Sequence, residues 1–435
     1  MRGVKFTAQE NFDHARAGRT GVLLANLGTP DSCRAADVRR YLKEFLWDRR
    51  VVEMPRPLWW PLLNGVILNT RPRRTARAYR KIWGDDGSPL LAISRRQQRK
   101  LQAALAAEGD GDFDADTVAA AGDGDFDAIE TADPGDGDSA AGKFDTGATT
   151  GDGDVANPNT GETAATDAAA HPNPNAAENP PPLVELGMRY GNPSIAAALG
   201  KLRAAGMRRL LVLPLYPQYC AATTASTFDA VSAELSRWRW LPALRFVAHY
   251  HDHPAYIGAL AASVRDYRRA HGRGEMLLMS FHGIPQAYFD AGDPYHCECL
   301  KTARLLAEAL GLGDAEWRVS FQSRLGRARW LQPYTDRVLA DLARAGVRDV
   351  QVICPGFSAD CLETLEEMAL ANRDLFLRAG GRRYACIPCL NDGARHIRAL
   401  ASIARENLSG WRDRPETNAD RTAQKQRATA LGAGA

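Results

Sequence analysis

Nowhere in the 435 residues does an apolar run approach the ~18 needed to span a bilayer. Met1 through Thr20 is polar and charged and lacks an apolar stretch followed by a small-residue cleavage site, so secretion is not expected. No P-loop and no Gly-x-Gly-x-x-Gly turn occurs where a strand would enter a helix, which weakens nucleotide-dependent readings. The eight cysteines are scattered along a chain too long to need disulfide staples, so free thiols and a cytoplasmic location are expected. Net charge is also nearly absent, at +3, which excludes a polybasic nucleic-acid binder. That balance conceals a local lack of positive charge. Residues 108–179 hold 18 acids against Lys143 alone, so this stretch carries −17 and the rest of the chain +20.

What is present is an ordinary globular mixture, 45 % apolar and 25 % charged, enough for one large or two ordinary domains. The acidic stretch stands apart. Gly-Asp-Gly-Asp begins at Gly109, Gly122, Gly135 and Gly151, and the form ending Phe-Asp-Ala occurs at Gly109–Ala115 and Gly122–Ala128. Such a composition buries too little apolar surface to offset the ~1–2 kcal/mol per residue that backbone ordering costs. A disordered insert is expected. The twelve-residue calcium-loop spacing ending in Glu is absent, so a solvated loop is favoured over a calcium site.

Elsewhere, short apolar runs alternate with amphipathic stretches. Gly21–Asn26, Leu210–Pro214, Met276–Ser280 and Val350–Cys354 read as buried parallel strands, and Ser194–Ala205, Thr302–Leu312 and Asp336–Ala345 as helices between strands. Asn26-Leu-Gly-Thr-Pro30 echoes Phe281-His-Gly-Ile-Pro285, and the turn after Leu213-Pro-Leu-Tyr echoes the one after Cys354-Pro-Gly-Phe. The expected fold is therefore α/β: two similar Rossmann-like lobes with parallel sheets, a cleft between them and the disordered acidic insert. Expected boundaries are an N-terminal tail over 1–20, a first lobe over 21–265 interrupted at 108–179, a second over 272–410, and a flexible tail over 411–435.

Two features carry chemistry. His282 lies just past an apolar strand and is followed by Gly283, Ile284 and Pro285, where an α/β cleft opens. Asp360-Cys-Leu-Glu-Thr-Leu-Glu-Glu367 follows another strand. Asp360 and Glu363 could form a capping box, with Leu362 and Leu365 facing the core. Asp360, Glu363 and Glu367 also fall at i, i+3 and i+7, one helix face on which like charges repel unless a cation lies between them. Carboxylates opposite an imidazole suit a divalent metal such as Fe²⁺. Spacing alone reaches a metal-binding α/β cleft and no further.

Eight ordered motifs extend that reading. Gly21–Thr29 with Pro30, Tyr41–Arg50, Gly87-Ser-Pro89, Leu213–Gln218, Ser280–Pro285, Phe321–Gly326, Trp330–Asp336 and Cys354–Glu367 together resemble the ferrochelatases, closest to their Gram-negative bacterial members. The resemblance runs from Gly21 to about Trp411 apart from the acidic insert. It implies a lyase-class chelatase of heme biosynthesis that inserts Fe²⁺ into protoporphyrin IX, releases two protons and forms protoheme, with no cofactor required. His282 and Glu363 inherit the catalytic and metal roles, and Asp360 and Glu367 a secondary path for protons or metal. Arg189, Tyr190, Ser323 and Trp330 match positions that contact the porphyrin. Rivals are chelatases for coproporphyrin or sirohydrochlorin, or a porphyrin-binding or heme-binding protein without turnover.

The resemblance also bears on partners. Pro57–Leu68, with Trp59 and Trp60 near Arg49, Arg50, Arg56, Arg71, Arg73 and Arg74, suits either a lip resting peripherally on an anionic inner membrane or a buried helix. Cys297, Cys299, Cys386 and Cys389 could supply four thiolates, but cluster-bearing relatives carry most of theirs in a C-terminal extension, and no cysteine follows Cys389. A [2Fe–2S] cluster is therefore not expected, nor is a nucleic-acid partner.

Overall fold

The computed structural model describes residues 6–7, 18–107, 180–326, 328–411 and 418–432. The expectation of a disordered insert at 108–179 lies outside the described residues, as does most of the 1–20 tail.

Among the described residues eight strands form two parallel sheets. The first contains β1 (Arg19–Thr29), β2 (Leu183–Gly191), β3 (Met207–Pro214) and β4 (Ala243–Phe246), in the order β2-β1-β3-β4. The second contains β5 (Met276–His282), β6 (Trp317–Gln322), β7 (Asp349–Ile353) and β8 (Arg383–Cys386), in the order β6-β5-β7-β8. The orders are the same, shifted by four strands, so the repeat read from the turns is a repeat of topology. In the first sheet Leu24 of β1 lies between Leu186 and Leu213, and in the second Met279 of β5 lies between Val319 and Ile353.

Helices cover the sheets as parallel crossovers require. Ser194 caps the Ile195–Ala204 helix by accepting from the Ala197 N–H at 3.2 Å. The Thr335–Arg344 helix falls where expected, whereas the Tyr295–Leu310 helix begins earlier than Thr302 because Cys297-Glu-Cys299 is its first turn rather than a loop. After Trp411 the described residues Asn418–Ala430, rich in the helix formers Ala, Arg, Gln and Lys, form a helix.

One core runs through both sheets. Val22, Leu24 and Leu213 join Leu277, Met279 and Phe281 through side chains of the Pro254–His271, Tyr295–Leu310 and Ala394–Leu408 helices. Each sheet has its own apolar cluster on its other face. Polar ties reinforce this shared packing. Gln97 of the Pro89–Ala106 helix donates to the Ser358 and Asn391 carbonyls at 3.0 and 2.9 Å, and Asp392 pairs with Arg96 and Lys100. The two sheets are thereby packed against each other through a shared core and tied by these polar contacts. Among the described residues no helix is long and apolar enough to cross a membrane.

Candidate active site

Both strand-end turns need glycine because backbone passes too close for a side chain. A Cβ on Gly28 would lie 1.8 Å from the Tyr190 carbonyl oxygen, and one on Gly283 would lie 2.9 Å from that of Gln322. The Gly283 turn is clamped further, because the Leu331 and Gln286 N–H groups bond to the Ile284 and Arg329 carbonyls. This clamp sets Trp330 beside His282, the last residue of β5. The imidazole is near the rings of Trp330 and Phe357, with centroid separations of 6.5 and 6.4 Å.

His282 Nδ1 lies 2.6 Å from the Gly283 carbonyl oxygen, which can only accept, so Nδ1 donates and, in the neutral ring, Nε2 is the acceptor nitrogen. Beside it runs a ten-residue π-helix, Glu363–Asn372. Such windings are rare and often mark functional sites. Glu363 and Glu367 both lie on it, and Glu367 is close enough to His282 and to Glu363 to feel each of them electrostatically. Burial raises the Glu367 carboxyl above the ordinary range, and the Glu363 charge adds to that. The Ser323 donors and His282 pull the other way.

Asp360 departs from the shared acidic face that its spacing suggests. It precedes the helix, and the wider π winding removes the 3.6-residue periodicity on which the shared face depended. Its carboxylate accepts from the Thr364 hydroxyl, the Cys389 N–H and the Asn391 amide, at 2.9, 3.3 and 2.7 Å. The capping box is absent as well. Thr364, not Glu363, reaches back to accept from the Cys361 N–H at 3.0 Å. Leu362 and Leu365 pack as expected, half-buried against the cluster formed by the Ala35–Trp47 and Leu68–Ile82 helices.

The wall residues divide. Trp330 is 9 % exposed, with its indole N–H on the Leu325 carbonyl at 3.0 Å. Ser323 lines the site through Glu367, to which it donates both its N–H and its hydroxyl. The Tyr190 ring is wholly buried and its hydroxyl bonds to Asp48 at 2.9 Å. Arg189 is engaged in the same group, with its Nε on Ser226 and Nη2 on Asp48. Although burial alone would raise it, hydrogen bonds from Ser226 and the Arg50 N–H, with the Arg189 charge, hold the Asp48 carboxyl below the ordinary range.

Sequence reasoning missed Asp48 and Gln322. Gln322, buried at the end of β6, accepts from Ser280 at 2.8 Å and donates to the Glu363 carbonyl at 3.3 Å, tying β5 to the π-helix. A glutamine ending an apolar strand just before Ser323 was the available signal. The cysteine pairs lie among different neighbours: Cys297 is exposed and Cys299 is buried near Cys220, whereas Cys386 and Cys389 lie by Cys354. Burial pushes the Cys299 and Cys389 thiols up, away from the thiolate that metals bind.

An imidazole ending β5 and two carboxylates on the neighbouring π-helix give these paired parallel α/β lobes a donor set suited to handling a metal ion. The comparisons make this specific. The ferrochelatase family model matches residues 19–122 and 166–408. The ferrochelatase of Nitrosococcus oceani is 45 % identical over 99 % of this chain and 100 % of its own. That of Thioalkalivibrio sulfidiphilus is likewise 45 % identical, over 99 % and 100 %, and that of Azoarcus sp. (strain BH72) 46 %, over 99 % of each. The chain belongs to the ferrochelatase family. It is a metal chelatase that inserts iron to form protoheme.

Proposed function

We infer that His282 and Glu363 meet the centre of the bound macrocycle and share metal and proton handling, with Glu367 behind them as the next proton acceptor. The position of His282 at the end of β5, with Glu367 close enough to feel both it and Glu363, carries the reading. Protoporphyrin IX is a flat ring with two inner N–H groups. Iron enters only when the ring puckers to expose nitrogen lone pairs and both protons leave. A basic Nε2 suits the first transfer, and binding energy from the rest of the ring can meet the cost of puckering.

Glu367, whose protonation burial favours, is suited to receive the proton next. In this reading Asp360 fixes the start of the helix, since both its oxygens are engaged. Trp330 and Phe357 form the apolar wall beside the imidazole, while Arg189 and Tyr190 support the opposite wall from behind. The lobes are taken as 21–265 and 272–410, and no resident cofactor or cluster is assigned. Anaerobic incubation with Fe²⁺ and protoporphyrin, followed by heme absorbance, tests the reading. Faster turnover of coproporphyrin or sirohydrochlorin, or ring binding with no heme formed, overturns it.

The lip after Pro55 supports peripheral contact with the cytoplasmic face of an anionic membrane. Trp59 is buried, with its indole N–H on the Leu46 carbonyl, whereas Leu58, Trp60 and Val66 are 65, 59 and 52 % exposed. Arg71, Arg73 and Arg74 follow on the next helix. Flotation with anionic vesicles should show salt-sensitive association, which Trp60→Ser weakens. No association at low salt removes the proposal.

A further inference from the structure

Outside the cleft, a second set of metal-competent side chains forms where the two lobes meet. The chain leaves β4 in extended fashion, with the Val247 N–H on the Val212 carbonyl and the Tyr250 N–H on the Pro217 carbonyl. Tyr250 enters the core, and the alternate residues His249 and His251 share the other side. Facing them is Glu298, in the first turn of the Tyr295–Leu310 helix that follows β5. Glu298 Oε1 is 2.6 Å from His249 Nδ1, and Oε2 is 3.2 Å from His251 Nδ1. Among the described residues this is the one group of three or more His, Cys, Asp or Glu ligand atoms lying within 4.8 Å of one another.

His251 supplies the second observation. The residue is 5 % exposed, and its Nδ1 is shielded from solvent yet makes no hydrogen bond despite its nearness to Glu298, so the approach is off-line. A buried polar atom left unpaired costs about 1–3 kcal/mol, and a cation between the imidazoles and the carboxylate would satisfy it. Two imidazole nitrogens and one carboxylate oxygen are the three-protein-ligand set of zinc-type sites with an open fourth position. Tetrahedral bonds of about 2.0–2.1 Å put ligand atoms about 3.4 Å apart, near the 3.2 Å between His251 Nδ1 and Glu298 Oε2, and His249, half-exposed and 2.6 Å from the other carboxylate oxygen, can swing outward.

The surroundings are prepared for such an ion. The Tyr219 N–H donates to Glu298 at 2.6 Å, and the Thr302 hydroxyl donates to the His251 carbonyl at 2.9 Å; both restrict the ligands. The neighbouring Lys301 ammonium is paired with Asp252 at 2.5 Å rather than directed at the site.

We propose that His249, His251 and Glu298 bind a divalent transition-metal ion of the Co²⁺ or Zn²⁺ type, separate from the ion being inserted, which cross-links the lobes. His249 and His251 come from the first lobe and Glu298 from the second. None belongs to the His282–Glu363–Glu367 set.

The test uses the full chain carrying His282→Ala and Glu363→Gln, so that the chelation cleft does not compete, with Co²⁺ alone as the probe. Equilibrium dialysis should find one Co²⁺ per chain, and the ion should raise the thermal midpoint. Adding His249→Ala, which alters a half-exposed side chain, should weaken Co²⁺ binding at least about tenfold and abolish the midpoint shift. Glu298→Gln should do the same; if that buried change prevents folding, His249→Ala decides alone. No Co²⁺ bound in the parent, or binding and midpoint shift unaffected by His249→Ala, overturns the proposal. Iron insertion by the single variant His249→Ala, measured with the cleft intact, should persist.

Discussion

Ser323 has a φ of +63° and directs both its N–H and its hydroxyl at the Glu367 carboxylate, the N–H at 2.9 Å. A side chain in that conformation costs about 1–3 kcal/mol, which charge-assisted hydrogen bonds can offset. Ser323→Ala keeps the N–H and loses the hydroxyl. Because the Ser323 bonds lower the Glu367 carboxyl, the variant should raise it further. The acid limb of the kcat/KM profile should then move to higher pH, and an unmoved limb would show that Glu367 is not the titrating acceptor.

Glu367→Gln should stabilise the protein at neutral pH while slowing turnover. The sign follows from linkage: the folded carboxyl is raised, so the protonated form is the better folded one. Whatever stability this group contributes is complete below the unfolded value of about 4.3 and falls as pH rises through the folded value. The variant's advantage in thermal midpoint should therefore be present at pH 7 and vanish near pH 4. An advantage independent of pH would assign the effect to packing instead.

His282→Ala and Glu363→Gln should each reduce iron insertion by roughly a hundredfold or more, the usual weight of a positioned acid or base. Porphyrin binding, followed by fluorescence quenching, should largely survive. Loss of both together would recast these residues as binding groups only.

Which features could be read in advance follows from burial. The four strands found from sequence, β1, β3, β5 and β7, are the inner pair of each sheet, and β5 is buried along nearly its whole length. The missed strands, β2, β4, β6 and β8, are the edges; β4, exposed or half-buried throughout, and β8, mostly so, lack a continuous apolar run. The same logic governs the site. His282 and Glu363 stand at ends of readable elements, whereas the tie from Gln322 to Glu363 depends on register between strands. Asp360 was placed on the wrong face because nothing in Glu-Thr-Leu-Glu-Glu announces a π-helix over an α-helix.

Arg189 and Asp48 give a test of structural against substrate roles. Asp48→Ala leaves the Arg189 guanidinium only 17 % exposed and without its carboxylate, and removing one partner of a mostly buried pair costs about 3 kcal/mol. The wild-type contribution should also depend on pH: the folded Asp48 carboxyl is lowered, so its stability is present above the unfolded value of about 3.9 and is lost as pH falls through the folded value. Arg189→Ala should accordingly lower the thermal midpoint without porphyrin present. An unchanged midpoint with a raised KM would return Arg189 to the role of propionate ligand.

Replacing residues 109–179 with a short Gly/Ser linker should leave folding and turnover intact. The two chain ends that flank this stretch are already held together by described residues. Gln102 donates to the Pro182 carbonyl at 2.9 Å and accepts from the Val184 N–H at 2.7 Å, and Gln98 donates to the Val184 carbonyl at 2.8 Å. The Pro89–Ala106 helix and the start of β2 are thus fastened to each other without help from the intervening residues, of which 123–165 also fall outside the family match. Each halving of a flexible loop recovers only about 0.6 kcal/mol of closure entropy, so the thermal midpoint should be unchanged or slightly higher. Loss of soluble yield, or of heme formation at an unchanged midpoint, would give the acidic stretch a role in folding or in supplying a substrate.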